Sequence, residues 1–296
     1  MTMFKKKMIF AAILVTLVAL SGCGSANDAS GTEDSSASGS VASAIGGAYN
    51  GSSTSGTQAM FKKTAVENLL ASLDPVHPAN ASSACPTFSA STLASCLSSP
   101  VTLTYSSCSF GNSSATWTGG SIFTCSGSVG SPTVNKTYSS GTARTNGFGT
   151  VVSVKSSGTS FNGTSVSGGM TLTPSSLSIN GVELTAATSG GSPLFDHTIT
   201  SSALTYSGGV VNGTVTIYHN YAKVIGTAVI SSLGFTSGCC TPTSGSIKTT
   251  FQAYGVFAAK SGFNGASETL NFTGCGAATY TGPEGYSGNV TLSNCF

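Results

Sequence analysis

From Val101 onward, apolar and polar residues alternate along the chain. Val101, Leu103 and Tyr105 interleave with Thr102, Thr104 and Ser106, and Ile247, Thr249, Phe251 and Ala253 interleave with Lys248, Thr250 and Gln252. Leu270 and Phe272 alternate with Asn271 and Thr273, and Val290 and Leu292 with Thr291 and Ser293. A period of two puts one set on each face of a strand. Parallel sheets covered on both faces read as unbroken apolar runs instead. The pattern therefore predicts a mainly β fold, an antiparallel meander with one face on a core and one Ser/Thr face. Asn-Gly pairs begin at Asn50, Asn146, Asn162, Asn180, Asn212 and Asn264. Such pairs supply the positive φ angles of tight hairpin turns, and those at 162, 180, 212 and 264 fall between strand-like runs. Periodicity alone does not separate a curved open sheet, a barrel and a sandwich. Asn-Gly-Thr recurs at 162–164 and 212–214, which fits repeated hairpins.

Upstream the period changes. Phe61, Ala65, Val66, Leu69, Leu70 and Leu73 recur at spacings of three and four, which predicts one N-terminal amphipathic helix over 57–73. Thr57 can cap it and Asp74-Pro75 stops it. Its stripe is expected to pack on the sheet, since Lys62 and Lys63 make a weak polar face for lipid. A shorter helical turn is expected near Ser91 to Leu97, where Leu93, Cys96 and Leu97 share a face. Gly24 to about Gly56 carries almost no large apolar side chain and is expected to be a flexible Gly/Ser-rich tether. A free chain of about 33 residues spans roughly 30 Å root-mean-square.

The first residues have a different character. Lys5, Lys6 and Lys7 precede an apolar run from Met8 to Leu20, too short and too early for a spanning helix and right for a signal peptide. The run ends in Leu20-Ser21-Gly22-Cys23. Leucine, a small residue, glycine and cysteine in this order resemble the lipobox of bacterial lipoproteins. The resemblance covers only this segment. It implies cleavage before Cys23, a diacylglycerol on its sulfur and acylation of the new amino group. Two or three acyl chains hold a protein stably on a bilayer, at about 0.8 kcal/mol per buried methylene. The expected partner is thus the lipid bilayer, reached through acylated Cys23. In the family, an Asp after the cysteine often retains a protein at the inner membrane; Gly24 stands there instead, which favours the outer membrane. The expected organisation is a signal peptide over 1–22, a tether over 23–56 and a single β-rich domain over 57–296.

Composition narrows the function classes. Ser, Thr and Gly number 53, 40 and 38 of 296 residues, and only 7% are charged. Lysines and arginines, 11 in all, are too few and scattered for a nucleic-acid binder. Removing the three leader lysines leaves eight basic residues against nine acidic ones, so electrostatic attraction to anionic lipid is not needed. Hydrophobic residues at 39% suffice for a core.

Nine cysteines less Cys23 leave Cys85, Cys96, Cys108, Cys125, Cys239, Cys240, Cys275 and Cys295. An even number in an exported chain reads as disulfides. The short loops favour Cys85 with Cys96 and Cys108 with Cys125. Adjacent Cys239 and Cys240 point to opposite faces of a strand, and are expected to pair with Cys275 and Cys295 in either order. No C-x-x-C occurs and no histidine lies nearby, so no metal site and no cofactor are expected. The run Gly238-Cys239-Cys240-Thr241-Pro242, with Gly274-Cys275-Gly276 and Cys295, resembles a pattern of bacterial exported proteins and implies no activity.

Candidate chemistry is sparse. His77 lies in Pro-His-Pro; His197 shares strand parity with Phe195 and Ile199, and His219 with Val215 and Ile217. Asp196-His197 suggests a catalytic triad, but strand neighbours point apart and no G-x-S-x-G elbow exists. Glu67, Asp74, Glu183, Asp196, Glu268 and Glu284 form no glycosidase motif, although distant residues can meet in a fold. Thr102-Leu103-Thr104, Thr171-Leu172-Thr173, Thr198-Ile199-Thr200 and Thr214-Val215-Thr216 resemble the threonine ladders of ice-binding proteins, and threonine also simply favours strands. The expectation is a non-enzymatic envelope lipoprotein with a binding or structural β domain. The alternative is a carrier of lipid or another apolar ligand in a curved sheet.

Overall fold

The structure is a computed structural model and describes residues 37–49, 87–89, 93–108, 115–128, 130–147, 149–207, 209–236, 241–253, 264–275, 277–282 and 287–292. Helix α1 (Ala37–Tyr49) precedes β1 (Thr87–Phe88), α2 (Leu93–Ser98), β2 (Val101–Cys108), β3 (Thr116–Ser128) and β4 (Ser131–Tyr138). Next come β5 (Ala143–Thr145), β6 (Val151–Lys155), β7 (Ser157–Thr159), β8 (Ser165–Ser167), β9 (Gly169–Leu172) and β10 (Ser176–Ala187). The rest are β11 (Pro193–Ser201), β12 (Leu204–Ser207), β13 (Val210–His219), β14 (Val224–Gly234), β15 (Ser244–Ala253), β16 (Ser267–Phe272), β17 (Ala277–Thr281) and β18 (Ser287–Thr291).

Among the described residues, sixteen strands form one sheet in the order β1-β2-β3-β4-β9-β10-β11-β13-β14-β15-β16-β17-β18, with β5, β6 and β12 pairing beside this path. Every pairing is antiparallel, including that of the separate β7–β8 ribbon. The mainly β antiparallel meander is therefore the fold. The alternation holds in detail: Val101, Leu103 and Tyr105 are buried, as are Ile247, Thr249, Phe251 and Ala253, while Lys248, Thr250 and Gln252 are exposed.

Two Asn-Gly pairs do something other than turn the chain. Asn162-Gly163 lies in the β7–β8 turn, where Gly163 N–H donates to Ser160 O at 2.9 Å. Asn180-Gly181 and Asn212-Gly213 instead sit inside the long strands β10 and β13, at register shifts. Gly213 has φ +142°, and a Cβ there would meet Leu204 Cδ2 of β12 at 2.7 Å. The extra residue of a bulge bends a strand and sharpens its twist. Each long strand changes neighbours at its bend: β10 passes from β9 to β6, and β13 from β12 to β11.

The curvature encloses α1, which overturns part of the tether expectation. Residues 37–49 form a helix, and every position from Ser38 to Ile45 is buried. The helix touches β10, β11, β13, β14, β15 and β16, six strands adjacent in the sheet. Ser38 and Ser40 lie only about 3 Å apart along the helix axis and point to opposite sides of it, yet Ser38 Oγ reaches Thr249 of β15 and Ser40 Oγ reaches His197 of β11, strands that the sheet order sets three places, roughly 14 Å, apart. Both sides of one helical turn therefore meet the sheet, which curls around it. Small residues are what such a rod requires. Ser38, Gly39, Ser40, Ala42, Ser43 and Ala44 let strands approach from all sides, and Val41 and Ile45, one turn apart, supply the apolar ridge. A composition that reads as tether in isolation is a close-packing composition once enclosed. The sheet also caps the helix: buried Glu268 of β16 accepts the Ser38 N–H at 2.6 Å, a negative group at the positive end of the dipole. The helix expected over 57–73 lies outside the described residues. The short turn expected near Ser91 is present as α2, with Cys96 buried.

Candidate functional site

Two polar constellations lie on opposite faces of the sheet, back to back across β11 and β13. The inner one joins α1 to the sheet. Ser40 Oγ lies 2.6 Å from His197 Nδ1, and Ser38 Oγ lies 2.7 Å from Thr249 Oγ1. Tyr280 donates its hydroxyl to Glu268 Oε2 at 3.3 Å. His197 stacks on Phe195 (centroids 4.9 Å apart) and meets the edge of His219 at 4.3 Å. Burial, and secondarily His219, holds the His197 imidazole well below the ordinary histidine range. His197 Nε2 and the Ser43 hydroxyl are buried with no hydrogen-bond partner among the described residues. His197 is 0% exposed and Ser40 1%, so this Ser–His contact is shut away from any substrate and serves to fix the helix. Strand parity had placed both histidines inward, and it had separated Asp196 from His197, as the structure does.

The outer constellation lies where β6, β10, β11 and the β13–β14 turn meet under the β7–β8 ribbon. Lys155 and Glu183 are directly opposed on β6 and β10, and their side chains form an ion pair at 2.9 Å. Glu183 pairs in register with Thr198, two residues from Asp196 on β11. The two carboxylates are thus diagonal neighbours on one face, with backbones about 7 Å apart. Asn220 Nδ2 donates to Asp196 Oδ1 (2.7 Å) and Thr198 Oγ1 (3.1 Å), while its Oδ1 accepts the Phe161 N–H from the ribbon tip (2.9 Å). Phe161 packs edge-on against Tyr218, with Lys223 Nζ 5.5 Å from its ring centroid. Burial raises the Asp196 carboxyl above its usual range; the Asn220 hydrogen bond opposes this, nearby Glu183 adds to it, and Lys155 and Lys223 oppose it more weakly.

The ribbon covers the sheet like a strap. A Cβ at Gly181 would stand 2.6 Å from Ser167 N, so glycine at the β10 bulge also permits this approach. Between strap and sheet lies an open cavity of about 480 Å³, lined by Lys155, Ser157, Thr159, Ser165, Ser167 and Glu183 among others. In the sequence Glu183 and Asp196 are only scattered acids. The available signal was the pair of short Ser/Thr segments around Asn162-Gly163, which lack enough apolar residues to line a core.

The cysteines are rearranged. Cys96 pairs with Cys125, Cα atoms 5.3 Å apart, so neither Cys85–Cys96 nor Cys108–Cys125 forms. The β2–β3 register explains why. Val101 faces Phe123, which sets Cys125 beside the chain leaving α2, whereas Cys108 faces Trp117. Eight residues of strand, roughly 27 Å, separate Trp117 from Cys125, far beyond disulfide reach. Cys108 and Cys275 are also disulfide-bonded, to partners outside the described residues. Cys23, Cys85, Cys239, Cys240 and Cys295 lie outside the described residues.

The threonine triplets align only once. Thr200, Thr216, Thr227 and Thr250 stand in register across β11, β13, β14 and β15. The row beside it runs Thr214, Val229, Lys248, so the ladder is one row deep. Among the described residues, no three His, Cys, Asp or Glu side chains converge as a metal site, and no helix is long and apolar enough to cross a membrane. No family model matches the sequence, and neither a curated protein nor a solved structure is significantly similar to it.

Proposed function

We propose that the chain is a lipid-anchored protein of the bacterial cell envelope, in the outer membrane, whose β domain binds or supports rather than catalyses. The observation that carries this reading is the ordered set of Lys5 to Lys7, the apolar run Met8 to Leu20 and Leu20-Ser21-Gly22-Cys23. The buried α1 supports it mechanically. Only residues 24–36 separate Cys23 from a helix locked into the sheet, a length that reaches at most about 45 Å. An acyl anchor would thus be tied to the core and would hold the β domain near the bilayer. Filling of the enclosed face by Val41, Ile45 and their small neighbours favours a binding or structural role over carriage of an apolar ligand.

Intact mass spectrometry of the membrane fraction tests the anchor. The expected product begins at Cys23 and carries diacylglycerol plus an amide-linked acyl chain, and Cys23→Ser abolishes both the lipid modification and cleavage at that site, leaving an unacylated chain that keeps its apolar leader. A freely soluble native protein with an unmodified amino end would overturn it.

A further inference from the structure

We propose that the cavity between the β7–β8 strap and the sheet, together with the β13–β14 turn, is a binding site for an uncharged glycan. The proposal deepens the reading above, resting on its binding half and not on the anchor. Its first support is charge. In a chain with only 7% charged residues, Lys155, Glu183, Asp196 and Lys223 come from four different elements to one patch. Two cations balance two anions. A charged ligand would gain on one pair what it loses on the other, and a zwitterion would have to open the Lys155–Glu183 pair. A neutral polyhydroxylated ligand meets no such penalty.

The second support is the kind of group on offer. Asn220 occupies Asp196 Oδ1 from one side and leaves Oδ2 of this half-buried carboxylate as an acceptor. A carboxylate edge beside a carboxamide suits the adjacent hydroxyls of a sugar, since the charged acceptor makes short, strong hydrogen bonds. The hydroxyls of Ser157, Thr159 and Ser167 both donate and accept, as sugar hydroxyls do. The third support is aromatic. Tyr221 follows Asn220 in the turn beside the cavity, near enough to Asp196 and Glu183 for their charges to act on its hydroxyl, and is 49% exposed, the most exposed of the large apolar side chains among the described residues. Its ring offers an apolar face to the C–H side of a pyranose, with its hydroxyl in the wet rim. A cavity of about 480 Å³ lies within the range of small-ligand sites.

The test is saturation-transfer NMR and calorimetry on the full mature chain in detergent. The probes are neutral tetrasaccharides of glucose, mannose, galactose and N-acetylglucosamine, with a sulfated tetrasaccharide and free amino acids as charged controls. At least one neutral oligosaccharide is expected to bind. Tyr221→Ala should weaken that binding at least about tenfold and Asp196→Asn several-fold, whereas Val229→Ser, exposed elsewhere on the sheet, should leave it unchanged. Tyr221→Ala removes an exposed ring, so an unchanged melting temperature is expected to accompany the loss. Binding of charged probes only, binding equal in Tyr221→Ala, or no binding of any neutral probe would overturn the proposal. Intact mass on the same preparation reports the anchor, so the two readings can fail separately.

Discussion

His197 and Lys136 are both buried ionisable side chains, and both leave a signature in the pH dependence of stability. His197 is neutral in the fold because Phe195, His219 and Ser40 surround it without a counter-charge in contact. Its folded pKa lies well below the unfolded value of about 6.5. As pH falls below about 6.5 the unfolded chain takes up a proton that the native state refuses, so stability drops by up to about 1.4 kcal/mol per pH unit. Urea titrations from pH 7.5 to 5 should show this slope, and His197→Leu should flatten it. Lys136 of β4 is 2% exposed, its ammonium 4.8 Å from the Tyr138 ring centroid and 5.8 Å from that of Phe123. Burial pushes its pKa down to about 7. Between pH 7 and about 10.5 the unfolded chain holds a proton that the native state lacks, so this group's stability term rises with pH through that window and is lowest below it. Lys136→Met is therefore expected to stabilise the protein most below pH 7, with the gain shrinking toward pH 10. A melting temperature lowered at pH 6.5 would contradict this.

At the scale of elements, α1 shows that propensity and burial answer different questions. Its sequence has two large aliphatic residues and no charged residue in either terminal turn, and would scarcely hold a helix alone in water. Inside the curled sheet, its small side chains allow close contact and its polar groups find Thr249, His197 and Glu268. Val41→Asp would bury an unpaired carboxylate among six strands. It is expected to cost at least about 3 kcal/mol, measured as loss of cooperative unfolding or a fall in urea midpoint; Val41→Ala should cost less. The same sheet decides the Cys96–Cys125 link. Peptide mapping without reductant should recover these two cysteines in one cross-linked fragment, and Cys96→Ser is expected to cost about 2–4 kcal/mol. Recovery of Cys108 linked to Cys125 would mean that the β2–β3 register is wrong.

Across the whole molecule, protection should follow enclosure. Strands β13 to β15 and α1 share one buried core, whereas the β7–β8 ribbon belongs to a separate sheet and β18 has no buried position. Native-state hydrogen exchange is expected to show α1 amides exchanging as slowly as those of β14, and ribbon and β18 amides orders of magnitude faster. Rapid exchange throughout 38–45 would return that segment to the tether.

The strand faces are legible along the chain alone, because a pleated strand turns alternate residues to opposite sides whatever lies beyond them. Val101, Leu103, Ile247 and Phe251 needed no neighbour to be read as inward, and the same parity put His197 inside and Asp196 outside. The proposed acylation of Cys23 likewise rests on a short local pattern alone. Tertiary structure alone decided what lay beyond the period of one strand. Asn180-Gly181 and Asn212-Gly213 carry the same signal as Asn162-Gly163, but the strands pairing alongside make them bends rather than turns. Cys108 and Cys125 are close along the chain and far apart on the hairpin, since register converts sequence distance into opposite ends. The small-residue stretch 37–49 became a core helix because six strands closed around it. Glu183, Asp196 and Asn220 became one site through sheet pairing, which local composition does not encode.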